Sequence, residues 1–249
     1  MSEPKTVIIT GASSGIGFAL TAAYIARGYQ VVANGRSLAR LQQAAEQLGN
    51  PANLLLVAGD IGKAETAARL FDQAIRHFGQ VDILINNAGI FISKPAIDYR
   101  IEDIDNMLTT NLRGFLYPTQ QAAKHMSARG SGHIITITAA IAMQPNTAVP
   151  ALLPVMVKGG LNSAIRALAV ELAANNVMVN GVAPGVIATP MHPQQAEIQQ
   201  LLANLAPTKR IGTTTDVVNA VMYLSDANFV TGTILPVDGG STAGIWSAG

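Results

Sequence analysis

The densest chemistry in the sequence lies in Thr10-Gly11-Ala12-Ser13-Ser14-Gly15-Ile16-Gly17. The apolar triplet Val7-Ile8-Ile9 before it reads as a buried strand. Phe18 to Arg27 after it, rich in Ala and Leu with no breaker, reads as a helix. A glycine turn between a strand and a helix N-terminus is a phosphate site. Glycines remove the Cβ atoms that would block a diphosphate, and the backbone N–H groups and the positive end of the helix dipole face its charge. A turn that only packs a helix on a sheet would use the same glycines, but the strand–turn–helix context favours the phosphate.

Three further stretches could hold the rest of a dinucleotide. The second strand ends in Ala33-Asn34-Gly35-Arg36, and Arg40 lies one helical turn further on. An NAD site usually places Asp or Glu there to hold the ribose hydroxyls. Gly35 stands at that position instead, and a guanidinium can clamp a 2′-phosphate, so NADP(H) is expected over NAD(H). A solvated Arg36 capping a loop is the alternative. Asp60, after the third strand, is placed either to accept from an adenine amino group or to cap the next helix. Asn86-Asn87-Ala88-Gly89 closes the fourth strand, where side-chain amides can tie neighbouring strands while Ala and Gly let the backbone approach a ligand. An ordinary turn would use these residues too.

Positioning these groups requires alternating strands and helices. Strands are predicted over 7–10, 30–33, 54–58, 83–86, 134–138, 178–183 and 234–237. Several are solid apolar runs, as parallel strands covered on both faces require. Helices are predicted over 15–27, 38–48, 65–77, 101–110, 112–128, 151–174 and 215–224. The order predicts an α/β fold, a doubly wound parallel seven-stranded sheet of Rossmann type with helices on both faces and ligands at the carboxyl ends of the strands. One domain is expected over residues 1–249. The longest stretch without clear periodicity, about 184–207, is expected to be a lid.

Composition removes several function classes. The net charge of +1 gives no pull toward nucleic acid, and the absence of Cys excludes a disulfide framework, a thiolate nucleophile and a zinc–cysteine site. No metal site is expected. Met1 to Lys5 is too short and polar for a signal peptide, and no run of about 18 apolar residues occurs, so no membrane span is expected. These features fit a cytoplasmic protein. Only 12% of residues are charged against 49% apolar, which implies that some helix faces are covered by other subunits.

In order and spacing, residues 10–17, Asp60, Asn86 to Gly89, Asn111, Lys158, Pro184-Gly185, Thr189 and Val237-Asp238-Gly239-Gly240 resemble the short-chain dehydrogenase/reductase family in its compact single-domain form, over essentially the whole chain. The resemblance implies NAD(P) binding by Gly11, Ser13, Ser14, Gly15, Ile16, Gly17, Arg36, Asp60, Ile61, Asn87, Ala88, Gly89, Lys158, Pro184, Gly185, Ile187 and Thr189. Pro184 to Thr189 would meet the nicotinamide half. It also implies a Ser–Tyr–Lys set with an Asn that reduces carbonyls or oxidises alcohols. Here the sequence departs from the pattern. Lys158 and Asn111 fit, but Pro154 stands where the tyrosine is due, four residues before the lysine. None of Tyr24, Tyr29, Tyr99, Tyr117 and Tyr223 has a lysine four residues on. Ala139 aligns with the serine, and Thr138 precedes it.

Losing a general acid typically costs about 10²- to 10⁴-fold in rate. Three groups could substitute: Lys158 itself, through a water held with Asn111; Thr138, donating to the substrate oxygen; or His192, swinging in from the lid. His125 and His133 read as surface residues flanking the loop 127–132, and His77 as a partner of a helix dipole. The helix over 151–174 is apolar on more than one face. The resemblance implies that it pairs with the helix over 112–128 in a homodimer or homotetramer. Two functions remain open: an NADP(H)-dependent oxidoreductase with a non-standard proton donor, acting on a small carbonyl, alcohol or imine, or an NADP(H)-binding protein without turnover of its own.

Overall fold

The computed structural model describes residues 4–191 and 195–244. Seven strands, β1 (Thr6–Thr10), β2 (Gln30–Gly35), β3 (Leu54–Ala58), β4 (Ile83–Asn86), β5 (Gly132–Ile137), β6 (Val177–Pro184) and β7 (Ile234–Val237), form one sheet in the order β3-β2-β1-β4-β5-β6-β7. Every pairing is parallel. The order reverses at β1, which pairs with β2 on one side and β4 on the other, so a crevice must open between the chain segments leaving β1 and β4.

The solid apolar strands sort residue by residue. Ile8, Val32, Leu84 and Ile134 point to one face and pack on Leu70, Phe71, Ala122, Met126 and Ile165. These come from α3 (Ala64–Phe78), α5 (Gly114–Arg129) and α6 (Leu152–Leu172). Val7, Ile9, Val31, Ile83, Ile85 and Ile135 point to the other and pack on Leu20, Tyr24, Leu41, Val217 and Val221. Those belong to α1 (Gly15–Ala26), α2 (Leu38–Gln47) and α8 (Thr214–Asp226). Both faces of the five inner strands are covered, so none of these carries the polar alternation of a half-exposed sheet.

Four sequence expectations need correction. The helices expected over 101–110 and 112–128 are one helical run, α4 (Ile101–Met107), a π-helical segment Leu108–Arg113, and α5. Pro118 lies inside α5 and has no N–H to offer the carbonyl of Gly114, and the wider π turn sits just before that gap. The stretch over 184–207 holds the helix α7 (Ala196–Ala203), and Pro184 still belongs to β6. His133 is not a surface residue: it lies buried in β5, and burial pushes its pKa down. His125 is half-buried, its Nε2 accepting the Val81 N–H at 3.1 Å. His192 lies outside the described residues. Among those described, no helix is long and apolar enough to cross a membrane.

Helix α1 is tied to α8 through a buried polar pair. Ser225 gives its hydroxyl proton to the Val221 carbonyl at 2.8 Å, so the Tyr24 hydroxyl is the donor in its short bond to Ser225 Oγ. Burial raises the phenol pKa. Tyr24→Phe removes this donor, and the urea midpoint is expected to fall by the equivalent of about 1 kcal/mol with an unchanged slope.

Candidate active site

A cleft of about 1510 Å³ opens at the carboxyl ends of the strands. Single small-molecule sites usually span about 300–1,000 Å³, so this one has room for a dinucleotide and a second ligand. Its floor is the glycine turn. Gly11 has φ +67° and Gly15 φ +55°, a region that favours glycine. A Cβ on Gly11 would come within 2.9 Å of Ala88 Cα. Ser14 sits at the N-cap of α1, yet its hydroxyl caps nothing. At α2 and α8, by contrast, Ser37 and Thr213 accept helix N–H groups. The leading N–H groups of α1 therefore face the cleft without a capping side chain, which is the donor set a phosphate needs.

Of the expected cofactor residues, Gly11, Ser13, Ser14, Gly15, Ile16, Arg36, Asp60, Ile61, Asn87, Ala88, Gly89, Lys158, Pro184, Gly185, Ile187 and Thr189 all line this cleft. Gly17 does not. It is buried, and a Cβ there would lie 2.2 Å from the Gly11 carbonyl oxygen, so its role is to seat α1 on β1. Asn87 locks the same corner: its Nδ2 donates to the carbonyls of Thr10 (2.9 Å) and Gly11 (3.2 Å). The Thr10 hydroxyl accepts the N–H groups of Asn87 and Ala88.

At the opposite end Arg36 and Arg40 are exposed on the rim, and neither is ion-paired among the described residues. A Cβ on Gly35 would meet Leu41 Cδ2 at 3.2 Å, so the position expected to be acidic is also tight. Asp60 does not cap a helix. Lys63 holds the N-cap of α3, and Asp60 Oδ1 instead accepts the Gly62 N–H at 3.0 Å, shaping the turn on the cleft wall.

Beyond the glycine turn the wall carries Lys158, Thr138 and Ala139. Lys158 is buried in the first half of α6, and its Nζ donates to the Ile137 carbonyl at 2.8 Å. Burial alone brings its pKa down to about 8. The Thr138 hydroxyl donates to the Val182 carbonyl at 3.3 Å, committing it to β6. Asn111, in the π segment, does not line the cleft. Its side chain clamps the backbone of Ile90, accepting from N–H and donating to C=O, each at 2.9 Å. Gly89 sits between the two groups: a Cβ there would lie 2.8 Å from Asn111 Oδ1 and 3.3 Å from Lys158 Nζ. Pro154 is buried in the first turn of α6, where a missing N–H disturbs no helical bond.

Among the lining residues not anticipated from sequence, two groups follow central strands. Ile90, Phe91 and Ser93 continue from β4, and Ile141 with residues 144–149 lies between β5 and α6. The Ser93 hydroxyl donates to the Pro150 carbonyl at 2.7 Å, and Lys94 bridges to Ala151, so the two segments form one wall. Their signal was positional: both follow the carboxyl end of a central strand. Among the described residues no group of His, Asp and Glu is arranged to hold a metal.

Residues 11–242 match the family described as enoyl-(acyl carrier protein) reductase. Among curated relatives, a glucose 1-dehydrogenase of Gluconobacter oxydans is 32% identical, covering 96% of this chain and 92% of its own. A 3alpha-hydroxysteroid dehydrogenase of Mediterraneibacter gnavus is 34% identical, covering 96% and 97%. Among solved structures, ElxO with NADP bound superposes with a TM-score of 0.91 at 26% identity, covering 97% of this chain and 100% of its own. A 3-ketoacyl-(acyl-carrier-protein) reductase from Brucella melitensis complexed with NADH gives 0.89 at 29%, covering 96% and 99%. With this sheet, this glycine turn and these relatives, the chain belongs to the short-chain dehydrogenase/reductase family and is an oxidoreductase of that type built around a nicotinamide cofactor.

Proposed function

We propose that the protein is an NADP(H)-dependent oxidoreductase that works without the family's tyrosine and serine, acting on a small carbonyl, alcohol or imine. The observation that carries this reading is Lys158: an amine on the cleft wall, brought to a pKa of about 8, with Pro154 four residues before it and Ala139 at the serine's place. The cofactor, when bound, supplies or accepts a hydride. The N–H groups opening α1 hold its diphosphate, and Arg36 and Arg40 hold the 2′-phosphate. Asn111 fixes Ile90, and with it the backbone wall at Gly89. Lys158 delivers the proton from Nζ, with Thr138 beside it on the wall. An iminium carbon needs no proton as hydride arrives, so imines suit this site better than simple ketones.

A second reading has its own support. The Thr138 hydroxyl donates to the Val182 carbonyl and one Lys158 N–H to the Ile137 carbonyl, so Thr138 has no unengaged hydroxyl proton to offer a substrate oxygen. On that reading the chain binds NADP(H) without turnover, as a cofactor sensor or a non-catalytic subunit of a mixed oligomer.

The chain is further read as one domain whose lid, about 184–207, covers the substrate, and as a cytoplasmic protein. Leu112 and Leu116, one turn apart, and Leu152 with Met156, likewise spaced, expose apolar surface on neighbouring helical segments. They support a homodimer or homotetramer through the helices first read as 112–128 and 151–174.

Fluorescence titration tests the cofactor. Charge-assisted bonds contribute about 1.5–3 kcal/mol each, so Arg36→Ala with Arg40→Ala should weaken NADPH by at least about tenfold and leave NADH unchanged. Equal losses for both coenzymes would refute the phosphate clamp.

NADPH oxidation over a panel of carbonyls and imines tests the reaction. Lys158→Ala should lower turnover by about 10²- to 10⁴-fold. Because the protonated amine is the donor, carbonyl reduction should be flat below pH 8 and fall tenfold per unit above it. Tight NADPH binding with no turnover on any substrate would favour the second reading; Pro154→Tyr with Ala139→Ser would then show whether the pocket is open.

A further inference from the structure

The turn after β7, Asp238-Gly239-Gly240, lies at the cleft, yet nothing in the proposed chemistry uses it. We propose that Asp238 is a positioning residue: it folds residues 238–244 into a strap that fastens three separate loops around the half of the cleft beyond the glycine turn. The assignment of that half to nicotinamide and substrate rests on the function proposed above.

Asp238 is bonded as an organiser of a turn. Its Oδ1 accepts the Gly240 N–H at 2.9 Å, and its Oδ2 accepts the Thr242 N–H at 2.9 Å and the Thr242 hydroxyl at 2.7 Å. The Ser241 hydroxyl donates to its backbone carbonyl at 3.1 Å. Burial works against the carboxylate, but these donors hold its pKa below the ordinary range. Gly239 and Gly240 follow at φ +62° and +88°, two successive left-handed residues that a side chain would strain.

The folded strap then meets three loops. The Gly185 N–H donates to the Val237 carbonyl at 3.0 Å, and Gly185 lies so close that a Cβ would stand 2.9 Å from Asp238 Cα. The Thr208 N–H donates to the Gly239 carbonyl at 3.3 Å, and Pro207 packs near Gly240. At the far end Gln144 Nε2 donates to the Gly244 carbonyl at 3.1 Å. Gly185, Thr208 and Gln144 line the cleft and come from distant parts of the chain. The glycine turn does not depend on this strap, because Asn87 and Thr10 hold its corner.

Two measurements on Asp238→Ala, in the full chain, test the assignment. Losing bonds to a charged acceptor should speed amide exchange about tenfold or more in the segments around 185–190, 206–209 and 141–147, with β1 and β4 unchanged. NADPH should bind at least about tenfold more weakly, while 2′-phospho-ADP-ribose, which lacks the nicotinamide, should bind as before. Asp238→Asn keeps one acceptor oxygen and should fall between. If Asp238→Ala does not fold, Thr242→Val, which removes one donor, should show the same pattern at smaller amplitude. Faster exchange confined to residues 238–244, or equal weakening of both ligands, would overturn the proposal. If the wild type binds neither ligand, the cofactor reading fails, and the exchange pattern alone decides for or against the strap.

Discussion

Helix α1 can sit where it does because residue 17 has no side chain. The ideal Cβ would be 2.2 Å from the Gly11 carbonyl oxygen and 2.6 Å from Asn87 Nδ2, contacts no real atom makes. That one bare Cα brings three things together: the carboxyl end of β1, the first turn of α1 and the end of β4. Asn87 then bonds the two carbonyls that the close approach exposes. The result is a row of helix N–H groups held over the switch point of the sheet, with Ser14 leaving them uncapped. The uncapped helix terminus facing the cleft follows from this contact.

The sheet was legible because its five inner strands have both faces covered. A run such as Val7-Ile8-Ile9 or Ile83-Leu84-Ile85 has no polar position to mislead the eye, and the predicted strands fall on the observed ones with small changes at the ends. The glycine turn was legible because it falls between an apolar strand run and a breaker-free helical run. The π segment was not: Thr109, Thr110 and Asn111 are weak helix formers and read as a break between two helices, whereas the helical backbone continues through them in a wider turn. His133 was misread for a related reason. A polar residue beside a loop looks exposed, but its register partners Ile83 and Met178 carry it into the sheet.

Residue types also concealed what their side chains do. Asn111 was expected to hold a water with Lys158; its side-chain amide is bonded to the backbone of Ile90, beside the wall that Gly89 leaves thin. Asp60 was expected to meet adenine or cap a helix; it caps none, and on the cleft wall its Oδ1 shapes its own turn. The Asn111 partner lies 21 residues away and is set by tertiary packing, which spacing does not reveal, whereas the Asp60 partner is two residues on and closes a local turn.

Pro154 and Lys158 make opposite demands on the fold. A proline in the first turn of α6 gives up an N–H that had no helical acceptor, so the absence of a phenol there costs the helix nothing. An amine four residues on, buried and bonded to the Ile137 carbonyl, is a different matter. Desolvation disfavours its charge, and Leu153, Val157 and Leu161 around it show how readily the helix accepts apolar side chains. Packing alone would be served better by another of these. On the function proposed above the amine is there for its chemistry: it lies on the cleft wall, and desolvation brings its pKa to about 8, where it would exchange a proton near neutral pH.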